Sequence, residues 1–367
     1  MSDVDAIEQS DLISLETATT RVTVDTTVGT VRGLSFDLDG RTLAPLHTAP
    51  WLKEPIDSLP DRLIPIERKL AGDFFCAPFG ASDVEPSPAH GWTANSRWSL
   101  VEQSDQSVRL KLDRAVMGAE IEKCMRPAVN APLLYQTHLV KGGSGGLTVA
   151  HHPMVGLATQ GKFSCSPKRA VMTDEVPLEA DRHRLGLGVR TDDLRSVPGA
   201  DGAPVDLSRL PIGHAHEDFV TLVEAADSAV GWSAVLRQTE EDVVFFLKDP
   251  RVLPVTMLWH SNAGRDYAPW NGRHSGVLGV EDGCAAGSLG HAAALTCNRL
   301  SDEGVATALM LGAGSVHRIN HVIGAIPRPA GWTIVRDISL SGHVLTLTGD
   351  VGEPVTLAFD AAFFGGR

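Results

Sequence analysis

The feature that most constrains the fold is a period-two alternation of β-branched and polar residues in short runs. It is clearest over residues 21–38 and returns in residues 108–115, 133–142 and 343–360. Such alternation places one face of a strand in a core and the other face toward solvent. Gly, Asp, Asn and Pro bound the runs, and 36 glycines and 22 prolines suit many tight connections. The sequence therefore predicts an all-β chain, a large antiparallel β-sandwich with few short helices.

The domain organisation follows from the same pattern. We expect a single β-sandwich domain over residues 21–367, preceded by a mobile acidic tail over residues 1–20. The sequence shows no internal repeat of roughly 20–50 residues, which disfavours a propeller or a solenoid. Residues 217–226 are the best candidate for a short helix, although a strand is also compatible with them. Residues 168–211 are rich in Asp, Arg and Pro, which predicts long loops on one face.

Charge and cysteine content exclude several classes of partner. The formal net charge is −13, and phosphate binding needs clustered Lys and Arg, so neither nucleic acid nor an anionic membrane is expected as a partner. The five cysteines form no CxxC pair, which is typical of a reduced, intracellular protein with buried thiols. The first residues lack the basic-then-apolar order of a signal peptide, and no uninterrupted apolar segment reaches about 18 residues. We therefore expect a cytoplasmic protein.

Three short motifs carry two imidazoles and a carboxylate in an order that suits acid–base chemistry. They are HGWTANSRW (residues 90–98), HHPMVGL (residues 151–157) and GVLGVEDG (residues 276–283). Such groups can share the proton transfers that sugar chemistry requires. Each motif also has a purely structural interpretation, as satisfied polar histidines and a glutamate that begins a surface turn.

The first motif offers groups that could contact a sugar. Gly91 allows close approach of a ligand, and Asn95 and Arg97 are candidate hydrogen-bond donors to sugar hydroxyls. Trp92 or Trp98 could stack on the apolar face of a pyranose ring, although we expect Trp98 to lie in the core.

The second motif contains adjacent histidines. If they lie on a strand, His151 and His152 point to opposite faces, so that one can enter a site while the other packs or meets solvent. Pro153 removes a donor from the ladder and predicts that the strand ends or bulges just after His152. A two-histidine metal site is the alternative, but no third ligand follows at a fixed spacing, so we predict no metal.

The segment around the third motif is dense in side chains that grip polyols. We take five of them, together with Asn95 and Arg97, as substrate-binding candidates: Trp259, Arg265, Asp266, Trp270 and Arg273. The alternative is a surface loop whose tryptophans cover the core. His317 and His321 have helical spacing, but no HExxH glutamate accompanies them, so we assign them to structure or surface.

In this order, the three motifs resemble those of the aldose 1-epimerase (galactose mutarotase-like) superfamily, of which the chain would be a remote member. His90 matches a histidine in an HG motif, His152 one in H-[TP]-Y-F-N-L, and Glu281 the glutamate of G-[LIV]-x-[LV]-E-P. The segment LAGDFFCAPFG (residues 70–80) also resembles the stretch before the first histidine in the hexose-phosphate branch. The chain departs from the pattern in HPMVGL, which lacks the aromatic pair and the asparagine, and in Asp282, which replaces the proline.

The resemblance implies a supersandwich fold and a mutarotase that interconverts sugar anomers. It implies Glu281 as the base on the anomeric hydroxyl, His152 as the acid on the ring oxygen, and His90 as a group that binds or polarises the ring. No cofactor is implied, and the partner is a small carbohydrate. The arginine-containing substrate motif of the family is not evident, and Arg68 and Arg97 are the candidates to replace it. As an effective base, Glu281 needs a pKa raised by burial, and Asp282, if close, would raise it further.

Two other classes of function stay open at this stage. One is a non-catalytic carbohydrate-binding protein on the same scaffold, in which Glu281 would lack a partner at hydrogen-bond distance. The other is a different enzyme on a β-sandwich, namely a lyase or hydrolase acting on sugars or a metal-dependent oxygenase. The identity of the sugar, its phosphorylation and the oligomeric state also stay open.

Overall fold

The structure, a computed structural model, describes residues 11–365 of the chain. Within that range it contains 28 strands, four 3-10 helices and three helices of four residues each. The prediction of an all-β sandwich with few short helices is confirmed. The 3-10 helices are Pro50–Lys53, Ile56–Ser58, Gly287–Leu289 and Ser301–Glu303, and the α-helices are α1 (Pro65–Arg68), α2 (His291–Ala294) and α3 (Ala362–Gly365).

The strands are numbered in chain order. The first fourteen are β1 (Leu12–Glu16), β2 (Thr20–Asp25), β3 (Thr30–Leu38), β4 (Arg41–Leu43), β5 (Phe75–Cys76), β6 (Trp98–Gln103), β7 (Val108–Leu112), β8 (Ala119–Pro127), β9 (Leu133–Gly142), β10 (Gly145–Leu147), β11 (Val149–His151), β12 (Met154–Gly156), β13 (Gly161–Cys165) and β14 (Lys168–Thr173). The remaining fourteen are β15 (Arg190–Thr191), β16 (Val197–Pro198), β17 (Pro204–Val205), β18 (Arg209–Leu210), β19 (His216–Glu224), β20 (Gly231–Arg237), β21 (Asp242–Lys248), β22 (Val255–Asn262), β23 (Val277–Cys284), β24 (Leu309–Leu311), β25 (Val316–Pro327), β26 (Val335–Ser341), β27 (Val344–Gly349) and β28 (Val355–Ala358).

Two large antiparallel sheets form the sandwich. One has eight strands in the order β15-β14-β19-β22-β23-β11-β5, with β12 also paired to β23. The other has nine strands in the order β18-β13-β20-β21-β25-β9-β8-β7-β6. The core between the sheets contains Val220 and Leu258 from the first sheet and Phe246 and Ile323 from the second. Because side chains alternate along a strand, each sheet also has an outer face that must be covered or exposed.

Each outer face is covered over part of its area, whereas β6 to β8 of the nine-stranded sheet keep solvent-facing residues. The three-stranded sheet β26-β27-β28 packs on the nine-stranded sheet, where Phe245 and Tyr135 meet Leu345 and Trp332. On the eight-stranded sheet, residues 49–79 and 259–277 supply a second apolar layer around Trp259. Burial on both faces explains why β20 to β23 are buried along their whole length. The second apolar layer surrounds the candidate site.

Two predictions need correction. The tail predicted over residues 1–20 ends too late, because β1 pairs with β2 over all five of its residues; residues 1–10 lie outside the described residues. Residues 217–226 form strand β19 and the turn after it rather than a helix. Since β19 lies between β14 and β22 with apolar residues on both faces, its sequence lacks the alternation that would have identified a strand. The segment 168–211 consists of β14, four two-residue strands and loops.

Candidate active site

A cavity of about 390 Å³ opens on the outer face of the eight-stranded sheet. Its volume lies in the range of roughly 300–1,000 Å³ that small-molecule sites occupy. Large apolar side chains form most of its wall: Leu70, Phe79, Leu178, Phe219, Trp259 and Trp270. Few polar side chains reach it, namely Glu67, His90, His152, Arg265, Glu281 and Ser288. The cavity therefore combines an aromatic wall with a small set of groups able to transfer protons or donate hydrogen bonds.

Strand alternation aims His152 into this cavity. β11 ends at His151, and pairing to β23 resumes at Met154 in β12, as Pro153 predicts. The ring of His151 lies in the interior of the sandwich, 3.1 Å from Asp73, while the ring of His152 lines the cavity. The prediction that the two histidines face opposite sides is confirmed.

Glu281 and His152 form the closest polar pair in the cavity. Nε2 of His152 lies 3.1 Å from Oε1 of Glu281, and each side chain is only 3% exposed. The imidazole is stacked on Phe74, with ring centroids 4.4 Å apart. An aromatic ring on one side and a carboxyl group at its nitrogen hold the imidazole in one orientation.

Burial shifts the two groups in opposite directions, because it disfavours every charged form. It raises the pKa of Glu281 well above its ordinary value, and the nearby carboxyl of Asp174 adds to the rise. It lowers the pKa of His152 to about 3, with His90 adding to the fall. A proton shared by the pair therefore resides on Glu281 rather than on His152. The pKa of Glu281 is thus shifted in the direction that a base at this position needs, and Asp174 rather than Asp282 supplies the like charge.

His90 is placed by a strained turn. It has a positive φ of 65°, and a Cβ on the following residue, Gly91, would lie 2.3 Å from the carbonyl group of Ala77. The His90 ring stands 5.3 Å from that of His152, centroid to centroid. Burial lowers its pKa to about 4, and the positive charge of Arg265 contributes. His90 is therefore a neutral hydrogen-bonding group beside the pair near neutral pH.

Arg265 is the cation of the cavity. Its guanidinium lies over the rings of Trp270 and Trp259, at 4.5 and 5.5 Å from the centroids. Its Nε donates to Glu179 at 2.8 Å, and within residues 11–365 its two terminal nitrogens have no hydrogen-bond partner. Trp259 is itself fixed, since its Nε1 donates to Glu217 at 2.9 Å. The two rings and the guanidinium thus form a preorganised wall with free donors.

Of the ten predicted site residues, the structure brings six together in the cavity, and the other four lie outside its lining. Asn95 donates to the carbonyls of Ala89 and Gly91, so it shapes the His90 turn rather than meeting a ligand. The remaining three are paired elsewhere: Arg97 with Asp11, Asp266 with Arg182 and Arg273 with Glu54. Arg68, the other candidate for the family's arginine, donates to the carbonyls of Leu63 and Pro60.

Sequence reasoning missed several residues of the site. Phe219 and Glu217 lie on β19, which the helix assignment concealed, and Asp174 follows β14 at the edge of the predicted loops. Leu178 and Ser288 come from irregular segments without any motif. Leu70 and Phe79 could have been identified from the sequence, because they belong to the segment that resembles the hexose-phosphate branch.

Asp73, His151 and His321 are the group of described residues with metal-ligand proximity, and all three are buried. Asp73 already accepts hydrogen bonds from His151 and Gln136, and the rings of His151 and His321 are stacked at 4.2 Å. Parallel rings direct their in-plane lone pairs side by side rather than toward a common point. The geometry therefore does not fit a metal centre.

The architecture is that of the galactose mutarotase-like β-sandwiches. A candidate aldose 1-epimerase from Escherichia coli K12 superposes with a TM-score of 0.60 at 13% identity, covering 86% of this chain and 98% of that one. A galactose mutarotase related enzyme from Lactobacillus acidophilus gives 0.56 at 12% identity, with 87% and 98% covered. A galactose mutarotase-like protein from Lactobacillus casei gives 0.52 at 12% identity, with 86% and 100% covered.

The likeness lies in the fold. The sequence matches no family model and no curated protein. Within residues 11–365, no helix is long and apolar enough to cross a membrane.

Proposed function

We propose that this protein is an aldose 1-epimerase-like enzyme that interconverts the anomers of an uncharged sugar. The observation that carries the proposal is the contact between His152 and Glu281, 3.1 Å apart in an aromatic cavity. Mutarotation requires one proton to leave the anomeric hydroxyl and another to reach the ring oxygen. Both oxygens are bonded to the same carbon, so the acid and the base must be neighbours. The pair meets this requirement.

The proton transfers balance within the pair. Glu281 takes the proton of the anomeric hydroxyl as the C1 carbonyl forms and the bond from C1 to the ring oxygen breaks. His152 gives its proton to the ring oxygen. Rotation about C1–C2 and the reverse transfers close the other anomer. Since the pKa shifts place the shared proton on Glu281, substrate binding must first move it to His152. A sugar hydroxyl that donates to the Glu281 carboxylate would favour that form.

The cavity wall suits the apolar face of a pyranose. Trp259 and Trp270 offer flat rings to sugar CH groups, and the free end of Arg265 can donate to hydroxyl oxygens. His90, neutral near pH 7, can donate or accept one further hydrogen bond.

The charges lining the cavity favour a substrate without phosphate. Arg265 is the only Lys or Arg among the lining residues, and Glu179 already engages it. Glu67 and Glu281 bring acidic groups to the same space. Phosphate sites gather charge-assisted donors, frequently a bidentate Arg, around a doubly negative group. An uncharged aldose therefore fits better than a sugar phosphate.

Anomer exchange measured by NMR on a panel of aldoses and hexose phosphates tests the proposal. We expect exchange of a neutral aldose to be accelerated by the wild type and to return to the spontaneous rate in Glu281→Gln. Glu240→Gln is the matched control, because Glu240 accepts from the backbone of Ala158 outside the cavity, and it should retain activity.

Two results would count against the proposal. If no sugar exchanges faster but neutral sugars raise the melting temperature, the protein is a carbohydrate-binding protein. If Glu281→Gln retains full activity, the base is not Glu281 and the site assignment fails.

A further inference from the structure

Behind the cavity, Asp73 connects the two histidines of the second motif. Its Oδ2 accepts hydrogen bonds from Nδ1 of His151 at 3.1 Å and from Gln136 at 2.6 Å. Its Oδ1 accepts from the backbone N–H of His152 at 3.0 Å. One carboxylate therefore fixes the interior ring and the backbone that carries the cavity ring. Burial raises the pKa of Asp73, but His151, His321 and Gln136 together outweigh it and hold the pKa below its ordinary value.

Asp282 occupies the corresponding interior position behind Glu281. Consecutive residues of β23 point to opposite faces, so Asp282 enters the interior where Glu281 enters the cavity. Its Oδ2 accepts from Nε2 of His321 at 3.1 Å, and its Oδ1 lies 2.9 Å from Nζ of Lys248 and 2.7 Å from Oγ1 of Thr256. Burial raises the pKa of this carboxyl, and Lys248 and His321 more than offset the rise.

The two Asp–His pairs meet ring to ring. The imidazoles of His151 and His321 are stacked, with centroids 4.2 Å apart and planes 15° from parallel. The sequence assigned His321 to structure or surface, and it is fully buried in this stack. Asp73, His151, Asp282 and His321 thus form an interior layer of two carboxylates and two imidazoles behind His152 and Glu281. Movement of β11 or β23 would break hydrogen bonds to a buried charge in this layer.

We propose that Asp73 and Asp282 are positioning residues that hold His152 and Glu281 at their separation and fix the ring orientation of His152. The kinetic part of this proposal rests on the proposed function; the structural part does not. Neither carboxylate lines the cavity, so neither binds the sugar. Their removal should lower kcat while leaving KM near its wild-type value, because the wall of Trp259, Trp270 and Arg265 is untouched.

The substitutions Asp73→Asn and Asp282→Asn test the proposal. Each puts an amide N–H against a group that donates in the wild type, namely Gln136 in the first case and His321 in the second. A misplacement of about 1 Å can cost about 10²-fold in rate. We therefore expect kcat for anomer exchange to fall by about 10- to 100-fold in each variant.

The matched control is Asp242→Asn. Asp242 is equally buried and pairs with Arg237 at 2.5 Å, but it lies in the nine-stranded sheet and lines none of the described cavity. Asp242→Asn therefore measures the effect of losing a buried carboxylate that makes no contact with the His152–Glu281 region. Thr256→Val removes one hydrogen bond to Asp282 and one from Lys248 while keeping the side-chain shape, so it serves if the asparagine variants fail to fold.

The direct readout is the NMR signal of the His152 ring nitrogens. It is measured without ligand in protein labelled with ¹⁵N-histidine, and the signals are assigned by comparison with His152→Gln. A single tautomer in the wild type and in Asp242→Asn, with mixed or broadened signals in Asp73→Asn and Asp282→Asn, supports positioning. Unchanged His152 signals in both asparagine variants, or in Thr256→Val if it alone folds, overturn it. So does a loss of kcat no larger than that of Asp242→Asn. A wild type without anomer exchange would refute the proposed function alone, because the ring signals still decide the positioning proposal.

Discussion

Lys248 provides the sharpest test of how the interior layer is stabilised. Its side chain is fully buried, and its Nζ lies 2.9 Å from Asp282 and 3.1 Å from Glu224. The same nitrogen donates to the carbonyl of Val255 and to Thr256, both at 2.6 Å. Replacing it with methionine keeps most of the volume and removes the charge. Two buried carboxylates would then lose a shared cation.

The magnitude follows from the environment of those carboxylates. Removing one partner of a buried ion pair costs about 3–5 kcal/mol, since the remaining charge is left uncompensated. Glu224 keeps Lys168, at 2.6 Å, and Asp282 keeps His321, which places Lys248→Met within that range rather than above it. A stability of roughly 5–15 kcal/mol is usual, so the loss should be plainly measurable.

The loss should depend on pH, with a sign set by Asp282. In the wild type its folded pKa is held below the unfolded value, so its contribution to stability is present above the unfolded pKa and disappears as pH falls through the folded pKa. Without Lys248, burial raises the folded pKa of this carboxyl instead. The protonated form is then tolerated, and stability is lost as pH rises through the new pKa. The destabilisation should therefore be larger at pH 8 than at pH 5.

Urea unfolding of the full chain at both pH values measures this. Lys111→Met is the control, because Lys111 and its partner Glu120 are both about half exposed and such pairs contribute little. The reasoning fails if Lys248→Met costs no more than Lys111→Met, or if its cost is the same at pH 5 and pH 8.

Three further predictions concern the cavity. Gly91→Ala should lower both Tm and kcat, because the new Cβ would lie 2.3 Å from a backbone carbonyl at a residue with φ +69°. Gly40→Ala is the control, since Gly40 has φ +75° and open space around it; kcat should be unchanged and Tm much less affected. Trp270→Ala should raise KM for the sugar about tenfold with little change in kcat, measured by anomer exchange; a fall in kcat alone would contradict a binding role. Asp174→Asn removes a like charge and should lower the pKa of Glu281. Because the pair needs its one shared proton and loses it above that pKa, the alkaline limb of the kcat/KM profile should move to lower pH. An unmoved limb would refute the coupling between Asp174 and Glu281.

The fold class could be predicted from the sequence because the features that indicate it are local. Alternation, turn residues and the place of Pro153 follow from strand geometry, and they put His151 and His152 on opposite faces correctly. β19 was not accessible in the same way, since a strand covered on both faces has no alternation to detect.

The site was accessible only in part. The proximity of His152 and Glu281 came from a resemblance, whereas Arg97 was chosen for standing near His90 in the sequence. Nearness along the chain does not fix the direction of a side chain, and Arg97, which lies just before β6, points toward Asp11. Asp174 raises the pKa of Glu281, although it follows β14 and Glu281 lies on β23, far away in sequence. No local sequence pattern indicates that the two carboxyls are close.

The interior layer follows from placing ionisable residues on a sheet that is buried on both sides. Along β23, Glu281 points into the cavity and the next residue, Asp282, points into the core; near β11 the order is reversed, with His151 in the core and His152 in the cavity. A buried charge is tolerated only when paired, so the carboxylate of Asp282 needs Lys248 and His321, and that of Asp73 needs His151 and Gln136. In a sheet covered on one face only, the residue of each pair that points away from the cavity could meet water. In this protein the partners must be built into the core, and their hydrogen bonds constrain β23, which carries the candidate base, and the end of β11, which the candidate acid follows.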